Sequence, residues 1–132
     1  METAVLINAA DGKVIWKTPY AESWQYRNAY GSGPRVAPTI DGDLVFAQGV
    51  KGVLACLSLN DGKLLWTKSY EQNFGAKWFG GNAPGSGGTA ASRHGNNGAP
   101  VTDDKHIYAA AGGHRGASLV CLEKRTGKVV WK

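Results

Sequence analysis

The residues with most scope for chemistry in this 132-residue chain gather in one Gly-rich stretch. Lys77 and Trp78 stand ahead of Gly80-Gly81, and Arg93 and His94 stand ahead of Gly95. Cations of this kind meet anionic ligands through charge-assisted hydrogen bonds, and an indole face stacks on a flat ring or a sugar. Arg35 follows Gly33-Pro34 at the start of an apolar run and is a further cationic candidate. The simpler account of these residues is a solvated connection with scattered charge, and for Arg35 a plain salt bridge. Asp41, Asp43, Asp103 and Asp104 fall in turns, where carboxylates cap backbone amides.

Other chemistries lack their signatures. The chain has no G-x-G-x-x-G between a strand and a helix, no phosphate loop, no paired-His metal motif and no nucleophile elbow. Fifteen Lys plus Arg against ten Asp plus Glu give a formal charge of +5. The basic residues are spread over turns and strand ends, as at Lys13, Lys17, Lys63, Lys68, Lys128 and Lys132, with no recognition helix or aromatic RNA-binding signature, so nucleic acid is not an expected partner. Cys56 and Cys121 occupy the same position relative to two later glycines. Equivalent positions in neighbouring repeats lie too far apart for a disulfide, and two thiols without nearby His make a poor metal set, so both are expected to be buried small hydrophobes. No stretch approaches the length of a membrane span, and the N-terminus carries no signal-peptide pattern. The sequence assigns no compartment.

The elements that position these residues come from a repeat. Asp11-Gly12-Lys13-Val14-Ile15-Trp16 returns as Asp61-Gly62-Lys63-Leu64-Leu65-Trp66 and as Thr126-Gly127-Lys128-Val129-Val130-Trp131, with Trp always four residues after Gly. Each is preceded by an apolar run, and Gly at the turn supplies the positive φ that a tight hairpin needs. The second unit reads as four strands, Val36 to Ile40, Leu44 to Gln48, Val53 to Leu59 and Leu64 to Lys68. The third repeats the scheme from Ala99-Pro100-Val101 through His106 to Ala110 and Ala117 to Leu122 to Lys128-Val129-Val130-Trp131. It carries three extra residues in Ala111-Gly112-Gly113-His114-Arg115-Gly116, whose tip should protrude. The first unit has only its last two strands, so ten strands are expected. The predicted organisation is a half blade over 1–20, a connection over 21–35, a complete blade over 36–70, a Gly-rich loop over 71–98 and a complete blade over 99–132. Repeats that cannot bury their own apolar faces must stack on their neighbours, and four-stranded antiparallel units of this kind stack as an all-β propeller.

Asn8 to Trp16, Leu57 to Trp66 and Leu122 to Trp131 resemble the tryptophan-docking repeat of the pyrroloquinoline quinone (PQQ)-like propellers, the group that includes bacterial PQQ-dependent alcohol dehydrogenases. Tyr30 to Thr39 is similar to an interblade connection of bacterial PQQ-like repeat proteins. The resemblance implies a structural role for Gly12, Trp16, Gly62, Trp66, Gly127 and Trp131, each ring packing between blades. It implies that Arg35, Lys77, Trp78, Arg93 and His94 lie on connections facing a central channel, where ligands commonly bind. It implies a periplasmic or extracellular setting. A dehydrogenase of this group needs a catalytic Asp, calcium-binding carboxylates and a stacking pair for the quinone, and none can be placed here, so no cofactor is expected and PQQ with calcium enters only under the enzyme alternative. Two and a half blades leave faces and edges open. The expected function is therefore a non-catalytic scaffold or binding propeller, part of a larger propeller or of a homo-oligomeric assembly, with a protein, another copy of the chain or a glycan as partner. The alternatives are a fragment of a PQQ-dependent alcohol dehydrogenase, and a self-assembling structural repeat protein forming a ring or filament.

Overall fold

The computed structural model describes residues 1–23, 34–76, 96–113 and 116–132. The described residues form ten strands in three antiparallel sheets and one helix of a single turn. Strands β1 (Glu2–Ile7) and β2 (Val14–Ala21) make a two-stranded sheet. Strands β3 (Thr39–Asp41), β4 (Leu44–Gly49), β5 (Val53–Ser58) and β6 (Leu64–Ser69) make the second sheet in chain order. The third pairs β7 (Val101–Thr102), β8 (His106–Ala110), β9 (Leu119–Glu123) and β10 (Val129–Trp131), again in chain order. The chain is all-β, as its turn spacing predicts. No helix among the described residues is long and apolar enough to cross a membrane.

The repeated turns are one structure made three times. Gly12, Gly62 and Gly127 hold φ at 72°, 70° and 67°, a left-handed conformation that a Cβ disfavours. In each turn the glycine N–H donates to the residue four back, Asn8, Ser58 or Glu123, and that residue's own N–H donates to the carbonyl of Lys13, Lys63 or Lys128. The side chain ahead of each glycine accepts from the amide after it: Asp11 to Lys13 at 3.0 Å, Asp61 to Lys63 at 3.1 Å and Thr126 to Lys128 at 3.2 Å. This explains why Asp stands there twice and Thr once, since either supplies the short-range acceptor.

Two local expectations need correction. The inner strands are shorter than the apolar runs that announce them, because β3 and β7 begin immediately after Pro38 and Pro100, which have no amide to give a ladder. A helix, α1 (Tyr70–Phe74), starts at the last residue of the second unit and takes up the beginning of the stretch read as a Gly-rich loop over 71–98. The Ser69 side chain accepts from the Gln72 amide, and Gly75 closes the helix at φ 68°. Its buried Tyr70 and Phe74 anchor the base of the long hairpin of the third sheet, where an added Cβ on Gly113 would lie 2.3 Å from the Phe74 carbonyl oxygen. Ala111 and Ala117 at that base are buried; the tip, His114 and Arg115, lies outside the described residues.

Two apolar cores form, one at each contact between sheets. Ala4, Tyr20 and Ala21 of the first sheet, with Trp16, pack on Val45, Ala47, Ala55 and Leu57 of the second. The opposite face of the second sheet, through Leu44, Phe46, Leu54, Cys56 and Trp66, packs on Ile107, Ala109, Val120 and Leu122 of the third. Both faces of β4 and β5 are thus covered, as their continuous apolar sequence requires. Cys56 and Cys121 are free and buried, and burial pushes the Cys56 thiol up to about 12.

Candidate functional site

The contact between successive sheets is built by the repeat itself. The Trp16 ring lies against the Gly62 turn, where a Cβ would come within 2.6 Å of its Cδ2 atom, and its indole N–H donates to the Leu59 carbonyl at 2.8 Å. The Trp66 ring lies against Gly127 in the same way, 2.8 Å from the position of a Cβ, and donates to the Lys124 carbonyl at 2.8 Å. Leu59 and Lys124 both stand three residues before the turn glycine. Each seam therefore seats the indole of one repeat on the glycine of the next and satisfies its N–H on a fixed carbonyl. Thr18 adds a bond to the Gly62 carbonyl at 2.7 Å.

Charged groups differ between the two seams. Between the second and third sheets, Lys124 reaches Asp41 at 2.5 Å, and Arg125 grips both oxygens of Asp43 at 2.8 and 3.1 Å. These hydrogen bonds hold the Asp41 and Asp43 carboxyls below the usual carboxylate range. Turn capping alone is therefore an incomplete account of Asp41 and Asp43, which also bridge sheets. Inner-strand bonds run from the Thr39 hydroxyl to the Pro100 carbonyl at 2.6 Å and from the Gln48 amide to the Gly98 carbonyl at 3.0 Å.

The seam between the first and second sheets carries an exposed pair, Lys51 to Glu22 at 3.1 Å, and also buries a carboxylate. Glu2 accepts from the Val50 amide at 3.1 and 3.3 Å, with the Tyr20 hydroxyl at 3.5 Å and Lys51 and the N-terminal amine nearby. Desolvation raises its pKa, outweighing the Val50 bond. Gln48 is buried beside it, its carbonyl oxygen accepting from the Tyr70 hydroxyl at 2.5 Å. A carboxyl with a raised native pKa favours folding below the ordinary carboxylate range, and that contribution is lost as pH rises through the native value. Hence the unfolding free energy of Glu2→Gln, relative to the parent, should improve as pH rises from the ordinary carboxylate range through the higher native value. Urea unfolding of both proteins across this range checks it, and a pH-independent difference would contradict the assignment.

Of the ligand candidates, Arg35 is half-buried four residues before β3, with its Nε atom buried. Lys77, Trp78, Arg93 and His94 lie outside the described residues. The described residues bring no three His, Cys, Asp or Glu side chains together as a metal would need. At the turn between β7 and β8 of the third sheet, Asp103 accepts from the amides of Lys105 at 2.8 Å and His106 at 2.6 Å and from the Tyr108 hydroxyl at 2.7 Å. These bonds hold Asp103 well below the usual carboxylate range and push the Tyr108 hydroxyl up to about 12. The cluster caps a turn.

Among the described residues, exposure differs between equivalent positions of the three sheets. Val5 and Ile7 are 43% and 53% exposed, whereas Ala55 and Leu57, and Val120 and Leu122, at the same repeat positions are buried. At the other end, Leu119 is 48% and Trp131 45% exposed, whereas the equivalent Leu54 is buried and Trp66 half-buried. Among the described residues no glycine turn lies over Trp131, unlike Trp16 and Trp66.

No protein-family model matches the sequence, and no curated protein does. Solved structures do. BamB from Moraxella catarrhalis is similar over 98% of this chain and 29% of its own length, with TM-score 0.58 and 18% identity. A europium-containing methanol dehydrogenase is similar over 98% of this chain and 20% of its own, with TM-score 0.60 and 15% identity. The chain spans less than a third of either neighbour. At these identities the likeness speaks for fold, and together with the three equivalent turns it shows that this chain carries the PQQ-like β-propeller fold.

Proposed function

We propose that the chain acts as a non-catalytic PQQ-like propeller module that binds protein through its open sheet faces and its connecting segments. The observation that carries this reading is the contrast between end and interior positions, since Val5, Ile7, Leu119 and Trp131 present apolar surface where their counterparts in the second sheet are covered. Arg35, Lys77, Trp78, Arg93 and His94 are the candidates for contacting a ligand on the connections, a glycan among them. The dehydrogenase alternative is favoured by one observation, the likeness to a methanol dehydrogenase. Under it the chain would be a portion of a PQQ-dependent propeller enzyme. Titrating PQQ with calcium while following Trp fluorescence separates the two: the binding-module reading expects no saturable quenching, and saturable one-to-one quenching would overturn it.

A further inference from the structure

The turn between β4 and β5 is gripped from both sides. Gly49 to Gly52 close on themselves, the Gly52 amide donating to the Gly49 carbonyl at 2.9 Å, and Val50 within them is buried. The Val50 amide donates to both Glu2 oxygens, at 3.1 and 3.3 Å. The Val50 carbonyl accepts from the Asn96 backbone amide at 3.0 Å and from the Asn96 side-chain amide at 3.5 Å. One residue of the second sheet thus holds the first sheet on its N–H and the lead-in to the third on its C=O.

Glycine admits both grips. A Cβ on Gly49 would lie 2.8 Å from Glu2 Oε2, and a Cβ on Gly52 would lie 2.8 Å from the Asn96 side-chain nitrogen and 3.1 Å from the Tyr70 ring. Gly52 also holds φ at 80°, and its carbonyl accepts from the Tyr70 amide at 2.8 Å. Gly98 is tied separately. The Gln48 side-chain amide donates to the Gly98 carbonyl at 3.0 Å, so release at Val50 is confined to Asn96 and leaves the third sheet docked.

Glu2 is the one carboxyl bonded to this turn among the described residues. Facing it are the Tyr20 hydroxyl from β2, Lys51 from the turn itself and the N-terminal amine, and Lys51 also pairs with Glu22 at 3.1 Å. Burial, the largest effect, favours the acid form of Glu2, while the Val50 and Tyr20 bonds and the two cations favour the carboxylate. We propose that ionisation of Glu2 releases Val50 and, through it, Asn96, so that the lead-in to the third sheet loosens as pH rises. A buried acid must gain water to ionise, and local opening of the turn supplies it. Between the ordinary carboxylate range and the higher native value, the closed turn holds one proton more than the open one. The opening constant therefore grows by up to about tenfold per pH unit over that interval and levels off above it. The coupling goes beyond the binding-module reading and does not depend on it.

Native-state hydrogen exchange, corrected for the intrinsic rate at each pH, measures the opening at single amides. In the parent, protection of the Val50 and Asn96 amides should fall by up to about tenfold per pH unit across the interval in which the Glu2 carboxyl carbon titrates. Low urea should leave this exchange unchanged, as local opening requires. In Glu2→Gln the protection should be independent of pH. Asn96 protection that is flat with pH in the parent, that falls equally in Glu2→Gln, or that follows urea as global unfolding does would overturn the coupling. Should Glu2→Gln not fold, the parent decides: a midpoint for Asn96 more than about one pH unit from that of the Glu2 carboxyl would equally overturn it, and coincident midpoints would support it.

Discussion

Replacing Gly62 with Ala should destabilise the protein by about 2–4 kcal/mol, while the same change at Gly12 should cost about 1 kcal/mol. The two glycines share a turn conformation, at φ 70° and 72°, so the backbone strain of adding a Cβ is common to both. The surroundings differ. A Cβ on Gly62 would lie 2.6 and 2.7 Å from two carbons of the Trp16 ring and 2.9 Å from the Thr18 hydroxyl, whereas a Cβ on Gly12 meets nothing within 4 Å. The ring must lift, and with it goes the hydrogen bond to Leu59, so strain at one atom becomes loss of an interface. Urea unfolding of the two variants at low protein concentration checks the difference, and equal losses would mean that the Trp16 ring is not seated on the turn.

Trp66→Ala should cost about 3–5 kcal/mol. The ring bridges the second and third sheets, touching Phe46, covering Gly127 and donating to Lys124. Truncation opens a cavity in the larger of the two cores and leaves the Lys124 carbonyl without its donor. The neighbouring Arg125–Asp43 pair does not compensate: both side chains are more than half exposed, where a pair contributes little.

The turns were legible because glycine and the short polar residue before it encode a local conformation, and three copies in one register leave little room for another reading. The docking of each indole on the following turn is a long-range contact, 43 residues apart for Trp16 and Leu59 and 58 for Trp66 and Lys124, and it entered only through the family resemblance. The helix over Tyr70–Phe74 lacked periodicity in a single turn; its signal was the pairing of Ser69 with Gln72 and the glycine at 75. Glu2 gave no signal at all. Its burial depends on the Val50 amide, 48 residues away, which no local pattern announces. Of the candidate ligand residues only Arg35 is placed by the described structure, so the binding face of the connections rests on sequence and resemblance.

The central claim is that successive sheets join by seating an indole on the next repeat's glycine turn, which makes position in the stack, and not residue type, decide what a tryptophan contributes. Comparing the unfolding free energies of Trp66→Ala and Trp131→Ala at about 1 μM, where copies stay apart, tests it most directly. The same residue in the same repeat position should cost about 3–5 kcal/mol at Trp66 and under about 1 kcal/mol at Trp131. Losses of equal size at the two positions would contradict it.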